Sequence, residues 1–164
     1  MIREFQISDT QLVMQLWLAG NEDAHPFVAK EYWQANFKEV EKQLLQADVF
    51  VYDLGGEIKG FVGLMDEYIA GIFVDKAYRS QGIGRQLLEY VKQLHSTLSL
   101  NVYQKNERAL RFYRENGFTI VSKHFLKFSK YLMNISLMEK KSNASGFALL
   151  SYHIHFQKSY ISHF

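Results

Sequence analysis

The sequence predicts one α/β domain of the layered α+β kind, in which helices flank a mixed sheet. Three observations support this prediction. Helix and strand patterns follow one another in the order βααβββαβαββ, a hairpin signal stands mid-chain, and the next apolar run leads through a glycine-rich joint into a helix. A chain of 164 residues suffices for one substantial core. We therefore expect one domain, residues 1–141, followed by a terminal extension, residues 142–164, of unassigned role.

The first third of the chain predicts a strand and two helices. Residues 2–7 alternate as a strand does, and residues 8–11 form a capping box that opens a helix ending near Ala19. Residues 21–23 are a polar break, after which Pro26 fits the first turn of a second helix. Apolar and aromatic residues recur in that helix at mostly helical spacing, namely Phe27, Tyr32, Trp33, Phe37, Val40 and Leu44.

The middle of the chain predicts a three-stranded meander. Residues 49–52 and 58–65 are strand-like runs, and the Gly55-Gly56 turn between them indicates a hairpin. Residues 68–74 form the third strand of the meander and precede the glycine-rich joint. We expect these three strands to be neighbours in the sheet.

The remaining elements alternate helices with strands. Residues 98–103 alternate as a strand, Asn106 is placed to cap the next helix, and Gly117 is placed to end it. Residues 118–121 and 131–138 are the closing strands. The helix after the glycine-rich joint has one apolar face, made by Leu87, Leu88, Val91 and Leu94.

Composition argues against several classes of protein. A formal charge of +2, with basic and acidic residues interspersed, gives no basic stripe for nucleic acid. The absence of cysteine excludes disulfides and a cysteine nucleophile and suits a reducing compartment. The first residues lack a secretion signal and no apolar run reaches membrane-spanning length, so we expect a cytoplasmic protein without membrane partners. His153 and His155 alternate, but two histidines do not make a metal site, and we expect no metal.

The glycine-rich joint, residues 79–84 (Arg-Ser-Gln-Gly-Ile-Gly), is the most informative stretch. Glycines let backbone N–H groups approach an anion closely, and the following helix adds the positive end of its dipole. Arg79 and Arg85 supply positive charge beside it. Two glycines in a turn more often indicate only a positive φ angle. A second block at residues 106–118, a capped helix leading into a strand, makes the phosphate interpretation much more specific.

Together the two blocks resemble the signature of the GNAT superfamily of acyl-CoA-dependent N-acetyltransferases. Residues 79–84 match R/Q-x-x-G-x-G/A, and the chain as far as residue 121 is similar to the small bacterial YiaC-like branch, which includes protein-lysine acetyltransferases. The resemblance implies the GNAT fold, a mostly antiparallel sheet with a V-shaped splay between the fourth and fifth strands. The second block matches N-x-x-A-x-x-F-Y-x-x-x-G-F through Asn106, Ala109, Phe112, Tyr113, Gly117 and Phe118.

The resemblance also implies direct transfer of an acetyl group from acetyl-CoA to a primary amine, on a protein lysine or a small molecule. Backbone groups of Ile72, Phe73 and Val74 would pair with the pantetheine arm, while their side chains pack in the core. Asn106 would lie near the pantetheine and can cap its helix at the same time. The pyrophosphate would be bound by the backbone N–H groups of Gln81, Gly82, Ile83 and Gly84. Arg79 and Arg85 would be its charged neighbours.

Tyr113 occupies the family position of the general acid that protonates the departing CoA thiolate; the alternative is a core tyrosine beside Phe112. Glu67, expected at the start of the strand leading to the joint, is the candidate general base. His25 is a second candidate, and a water chain or a purely structural role for either residue stays open. The helical aromatics, notably Trp33, form either an acceptor mouth or core.

Two other functions fit parts of the pattern. A CoA-binding regulatory or interaction module would keep the glycine-rich joint with little turnover. A Rossmann nucleotide binder is disfavoured, because the glycines follow a meander and not the first strand of a βαβ unit. A homodimer is one possible assembly, and the sequence does not decide it.

Overall fold

The computed structural model of the protein describes residues 1–125 and 133–139. Its element order confirms the predicted βααβββαβαββ. The helices of this part of the chain are α1 (Thr10–Ala24), α2 (Lys30–Leu44), α3 (Ile83–Leu94) and α4 (Glu107–Glu115). Its strands are β1 (Ile2–Glu4), β2 (Asp48–Leu54), β3 (Glu57–Met65), β4 (Tyr68–Val74), β5 (Ser99–Tyr103), β6 (Phe118–Phe125) and β7 (Met133–Glu139).

The strands form one mixed sheet in the order β1-β2-β3-β4-β5-β7-β6. Neighbouring strands are antiparallel except β4 and β5, which run parallel. Those two strands pair only where Tyr68 lies opposite Ser99. Beyond that pair they diverge, which confirms the predicted V-shaped splay. We call the closed end, at Tyr68 and Ser99, the apex.

Each face of the sheet has its own core. One core packs α3 and α4 against the sheet and contains Val62 and Leu64; the other packs α1 and α2 and contains Phe61. Alternating side chains along β3 therefore point into opposite cores. The predicted apolar face of α3 is confirmed in part: Leu87, Leu88 and Val91 are fully buried, but Leu94 is 52% exposed. Leu94 is the last residue of α3, where the helix leaves the sheet.

The predicted capping box at residues 8–11 is wrong. A 3₁₀ turn (Ile7–Asp9) precedes α1, and Asp9 occupies the N-cap position of the helix. The Asp9 carboxylate instead accepts the Gln6 N–H at 2.8 Å and pairs with the Arg3 guanidinium at 2.7 Å. This charged pair fixes the start of α1 against β1, so a serine cap is unnecessary.

The predicted polar break and proline position are also wrong. Helix α1 continues through residues 21–23 to Ala24, because the Asn21 side chain donates to the Trp17 carbonyl at 3.0 Å and is buried. Pro26 lies in the turn between the helices, four residues before α2 begins. The longer α1 brings its last turn to the end of β4, where the site lies.

The ends of α4 match their predictions. The Asn106 side chain accepts the Ala109 N–H at 3.1 Å, and Gly117 has φ +90°. No helix in the described ranges is long and apolar enough to span a membrane. The predicted boundary between residues 1–141 and 142–164 lies outside the described residues and stays a prediction.

Candidate active site

A cleft of about 2100 Å³ opens where β4 and β5 diverge. The glycine-rich joint and the start of α3 line one end. The last turn of α1 and the start of α2 line one side, and α4 lines the other. The splay therefore brings both sequence blocks and the aromatic segment around one opening.

The glycine-rich joint ends in a helix start that has no side-chain cap. Gly82 is the N-cap of α3 with φ +83°, and Ser80 has φ +62°, a value that L residues rarely adopt. The first intrahelical bond runs from the Gln86 N–H to the Gly82 carbonyl, 2.9 Å. The preceding N–H groups have no helical acceptor and lie at the positive end of the dipole, at Ile83, Gly84 and Arg85.

The two sequence blocks meet at Gly84. A Cβ built on Gly84 would lie 3.6 Å from the Phe112 ring of α4 and 3.7 Å from Val74. These are ordinary van der Waals distances, so the start of α3 lies directly against the helix that bears Tyr113.

Arg79 is largely engaged by the protein itself. Its Nε donates to the Val74 carbonyl at 3.0 Å, and Nη1 pairs with the Asp23 carboxylate. Lys76 contacts the same carboxylate at 3.0 Å, and these two cations hold the pKa of Asp23 at about 2. Arg79 thus joins the end of α1 to the end of β4. If it lies beside a phosphate as predicted, it would contact that phosphate through Nη2.

The other predicted anion-site residues line the cleft, with the exception of Gln81. Arg85 is exposed and lines the cleft, as do Gly82, Ile83 and Gly84. The Gln81 side chain turns back and donates to the Ala77 carbonyl at 3.2 Å. Any contact of Gln81 with an anion is therefore through its backbone.

One edge of β4 is available to a ligand. Every residue of β4 except Ala70 has a register partner on β3, whereas only Tyr68 has one on β5. The β5-facing backbone groups from Ala70 to Val74 therefore border the cleft without a strand partner. This is the edge on which Ile72, Phe73 and Val74 were predicted to pair with an extended chain.

The side chains of that segment pack in the cores, as predicted. Ile72 and Val74 pack against the core of α3 and α4, and Phe73 packs against that of α1 and α2. Phe73 stacks on Phe61 with centroids 5.0 Å apart, and a Cβ on Gly20 would lie only 2.7 Å from its ring. Gly20 therefore lets α1 approach β4, a role that no local pattern in the sequence indicated.

Tyr113 is both a core residue and a wall of the cleft. It is 6% exposed, and its ring makes edge contacts with Phe112 and Phe118 at 5.1 and 5.5 Å. Burial, and secondarily the neighbouring Tyr68 phenol, raises the pKa of Tyr113 well above its ordinary value. The phenol consequently stays protonated and is able to donate a proton.

Tyr68 was predicted only as part of a strand, yet it stands at the apex. Its phenol hydrogen-bonds Asn101 of β5, and burial raises the pKa of that phenol. Tyr103, two residues further along β5, also lines the cleft. Alternation along residues 98–103 places Asn101 and Tyr103 on one face, and that is the signal that could have identified them.

Glu67 lies at the apex, one residue before β4 and not within it. Its carbonyl accepts the Ser99 N–H at 2.9 Å, the bond next to the β4–β5 pair. Glu67 is half-buried and lines the same cleft as Tyr113. The structure thus brings the predicted acid and base candidates to one cavity.

His25, the second base candidate, has a polar neighbour at each ring nitrogen. Nδ1 lies 3.1 Å from the Asn21 carbonyl oxygen, and Nε2 lies 3.4 Å from Asn106 Nδ2. The ring is 9% exposed and packs against Tyr103 and Trp33, with centroids 4.7 and 5.3 Å away. Burial lowers the pKa of His25 below its ordinary value.

The aromatic segment contributes to the core and also lines the cleft. Trp33 is 7% exposed and belongs to the core of α1 and α2, yet it also lines the cleft with Phe27 and Tyr32. Among the described residues, no three histidine or carboxylate side chains cluster as a metal site would require. His153 and His155 lie outside those residues.

Comparisons with known proteins agree on one family. Residues 46–120 match the profile described as an acetyltransferase (GNAT) domain. The chain is 39% identical over 123 residues to the peptidyl-lysine N-acetyltransferase YiaC of Escherichia coli K12, covering 74% of this chain and 84% of that protein.

Solved structures share the fold. The solution structure of apo YjaB from Escherichia coli superposes with a TM-score of 0.75 at 24% identity, over 87% of this chain and 98% of that one. The structure of yncA from Salmonella typhimurium with acetyl-CoA has a TM-score of 0.62 at 17% identity, over 91% and 98% of the two chains.

Proposed function

The chain belongs to the GNAT family of acetyltransferases, and from that premise we propose that its acceptor is the side-chain amine of a lysine in a protein. It is an acyl-CoA-dependent N-acetyltransferase, which transfers acetyl from acetyl-CoA directly to a primary amine. Acetyl-CoA, when bound, supplies the acetyl group as an activated thioester. The lysine acceptor is supported above all by similarity to a relative named as a peptidyl-lysine N-acetyltransferase.

The residues of the cleft fit acetyl-CoA. The start of α3 offers free N–H groups to a diphosphate, and the unpaired edge of β4 offers hydrogen bonds to an extended arm. Seven residues of strand span about 20 Å, so a ligand held at both places reaches from Gly82 to the apex. We propose that the diphosphate lies at Gly82 and the reacting carbonyl near Tyr68.

Tyr113 is the proposed general acid. Its phenol stays neutral because it is buried, and it lies near Tyr68 at the apex end of the cleft. From there it would give its proton to the departing thiolate. Glu67, at the same end, is the proposed general base that accepts a proton from the attacking amine.

The aromatic wall of the cleft, made by Phe27, Tyr32 and Trp33, suits a lysine side chain. An apolar channel accommodates its four-carbon stem, and aromatic faces attract its ammonium group. Burial disfavours the charged form of a bound amine, just as it lowers the pKa of His25 in the same wall. The wall thereby assists Glu67, because attack requires the neutral amine.

The acceptor is tested by incubating the protein with acetyl-CoA and three substrate sets. These are peptides with internal lysine and a blocked N-terminus, matched peptides with a free N-terminus and no lysine, and small polyamines. We expect free thiol release and a mass gain of one acetyl group only with the first. Transfer to either other set alone would contradict the lysine proposal, and CoA binding without any transfer would favour the regulatory module.

We also propose the cytoplasm as its compartment, on the absence of cysteine from the sequence. The homodimer stays a prediction.

A further inference from the structure

We propose that His25 is a positioning residue, which orients Asn106 and through it the start of α4. This inference rests on the proposed function only where activity is measured. Asn106 links His25 to the start of α4. Its Oδ1 accepts the Ala109 N–H at 3.1 Å, while its Nδ2 lies 3.4 Å from His25 Nε2. Tyr113 lies seven residues after Asn106, two turns along the same helix.

The hydrogen-bond partners assign the protonation of His25. The Asn21 carbonyl can only accept a hydrogen bond, so the proton lies on Nδ1. Nε2 is then the lone-pair nitrogen and accepts from the Asn106 amide nitrogen. That assignment forces the other amide atom, Oδ1, toward Ala109, which is the orientation that caps α4.

The same geometry argues against His25 as the general base. A base needs a free lone pair facing the amine, and the lone pair of His25 faces Asn106 instead. Its ring is enclosed by Tyr103, Trp33 and Phe27, with centroids within 5.7 Å. His25 therefore acts on the reaction through Asn106 and α4.

Protonation would reverse this arrangement. A second ring proton would place an N–H donor against the donor nitrogen of Asn106, and relief requires the amide to flip and release Ala109. Around His25, the phenols of Tyr32 and Tyr103 stay neutral because burial raises the pKa of each. Lys105 Nζ lies over the Phe27 ring, 5.5 Å from its centroid, while Asp23 is paired with Arg79 and Lys76. Burial lowers the pKa of His25, so its ring gains a second proton only at a pH below the ordinary histidine range.

Two substitutions separate positioning from other roles. His25→Gln retains an acceptor for Asn106 but cannot titrate, whereas His25→Phe keeps a ring in the aromatic wall and removes the acceptor. We expect amide hydrogen exchange at Ala109 to be near wild type in H25Q and about tenfold faster in H25F, as for a lost helix cap. This measurement needs no turnover, so it stands even if the proposed acceptor is wrong.

Activity and pH complete the test. We expect acetyl transfer to fall about tenfold in H25F and less than about threefold in H25Q. The ratio of wild-type to H25Q rates, in which the ionisation of the amine cancels, should be constant near pH 8 and decline as the pH falls through the lowered pKa of His25. Equal losses in both variants would identify His25 as a base or a purely structural residue and would overturn the proposal.

Discussion

Two helices begin at the same cleft, and their first turns are built in opposite ways. Helix α3 starts at Gly82, in a left-handed conformation and with no side-chain cap. Helix α4 starts at Asn106, whose side chain caps the Ala109 N–H and is itself oriented by His25. The first N–H groups of α3 therefore have no side-chain acceptor, whereas the first turn of α4 has one.

This difference separates binding from positioning. An open helix start can bind a diphosphate, and its geometry depends on glycine and on the ion pair between Arg79 and Asp23. A capped helix start gives a fixed origin from which Tyr113 is placed two turns later. Substitutions at α3 should therefore affect acetyl-CoA binding, and those along α4 should affect the chemical step.

The largest effect is expected at Tyr113. Tyr113→Phe removes only the hydroxyl, so the ring contacts with Phe112 and Phe118 are retained. Loss of a general acid typically costs a factor of about 10² to 10⁴, so kcat should fall by at least about 10² while the Kd for CoA stays unchanged. Steady-state kinetics and calorimetric titration with CoA measure the two quantities. An unchanged kcat would contradict the assignment of Tyr113 as the general acid.

An intermediate effect is expected at Gly82, with Gly55 as a matched control. Their φ angles are +83° and +66°; the nearest atom to a Cβ on Gly82 is 3.8 Å away, and none lies within 4 Å of one on Gly55. Alanine at either position should therefore lower the free energy of unfolding by about 1 to 2 kcal/mol through the backbone alone.

The two alanine variants should differ in ligand binding. Only Gly82→Ala should weaken the binding of acetyl-CoA, because it alone distorts the uncapped start of α3. We expect the KM for acetyl-CoA to rise about tenfold in this variant. Urea unfolding and KM measurements check both halves. Equal KM values in the two variants would contradict the assignment of the diphosphate to α3.

The smallest effect is expected at Asp23. The pKa of Asp23 is held at about 2, against an ordinary 3.8, by hydrogen bonds from Arg79 and then Lys76. A lowered carboxylate pKa means that this stabilisation is complete above pH 3.8 and is lost as the pH falls to about 2. Since the side chain is a third exposed, the contribution is below about 1 kcal/mol.

Asp23→Asn tests this directly in urea. The stability difference from wild type should shrink between pH 4 and pH 2. Glu39→Gln, which removes an exposed pair with Lys42, serves as the control for the loss of a surface carboxylate. A difference for Asp23→Asn that stays constant with pH would exclude the ion pair as its source.

Much of the fold followed from local pattern. The hairpin at Gly55-Gly56 and the cap at Asn106 depend on a few adjacent residues, and both are confirmed. The start of α1 was missed because Asp9 is held by Arg3, six residues earlier in another element. The continuation of that helix was missed because the Asn21 side chain donates a hydrogen bond to the Trp17 carbonyl within the helix.

The site was less predictable than the fold. The glycine-rich joint and Tyr113 were predicted as one site because a family resemblance joined two blocks that meet only in space, at Gly84 and Phe112. The pairing of Arg79 with Asp23 spans 56 residues and leaves no local trace. Likewise, the contact between His25 and Asn106 spans 81 residues, so the sequence around His25 did not indicate that Asn106 is its partner.

The most direct test is a crystal structure of the protein with CoA and a lysine peptide. The account predicts the diphosphate on the N–H groups at the start of α3, the pantetheine along the free edge of β4, and the sulfur within hydrogen-bond distance of the Tyr113 hydroxyl. A diphosphate bound elsewhere, or a sulfur remote from that hydroxyl, would contradict it.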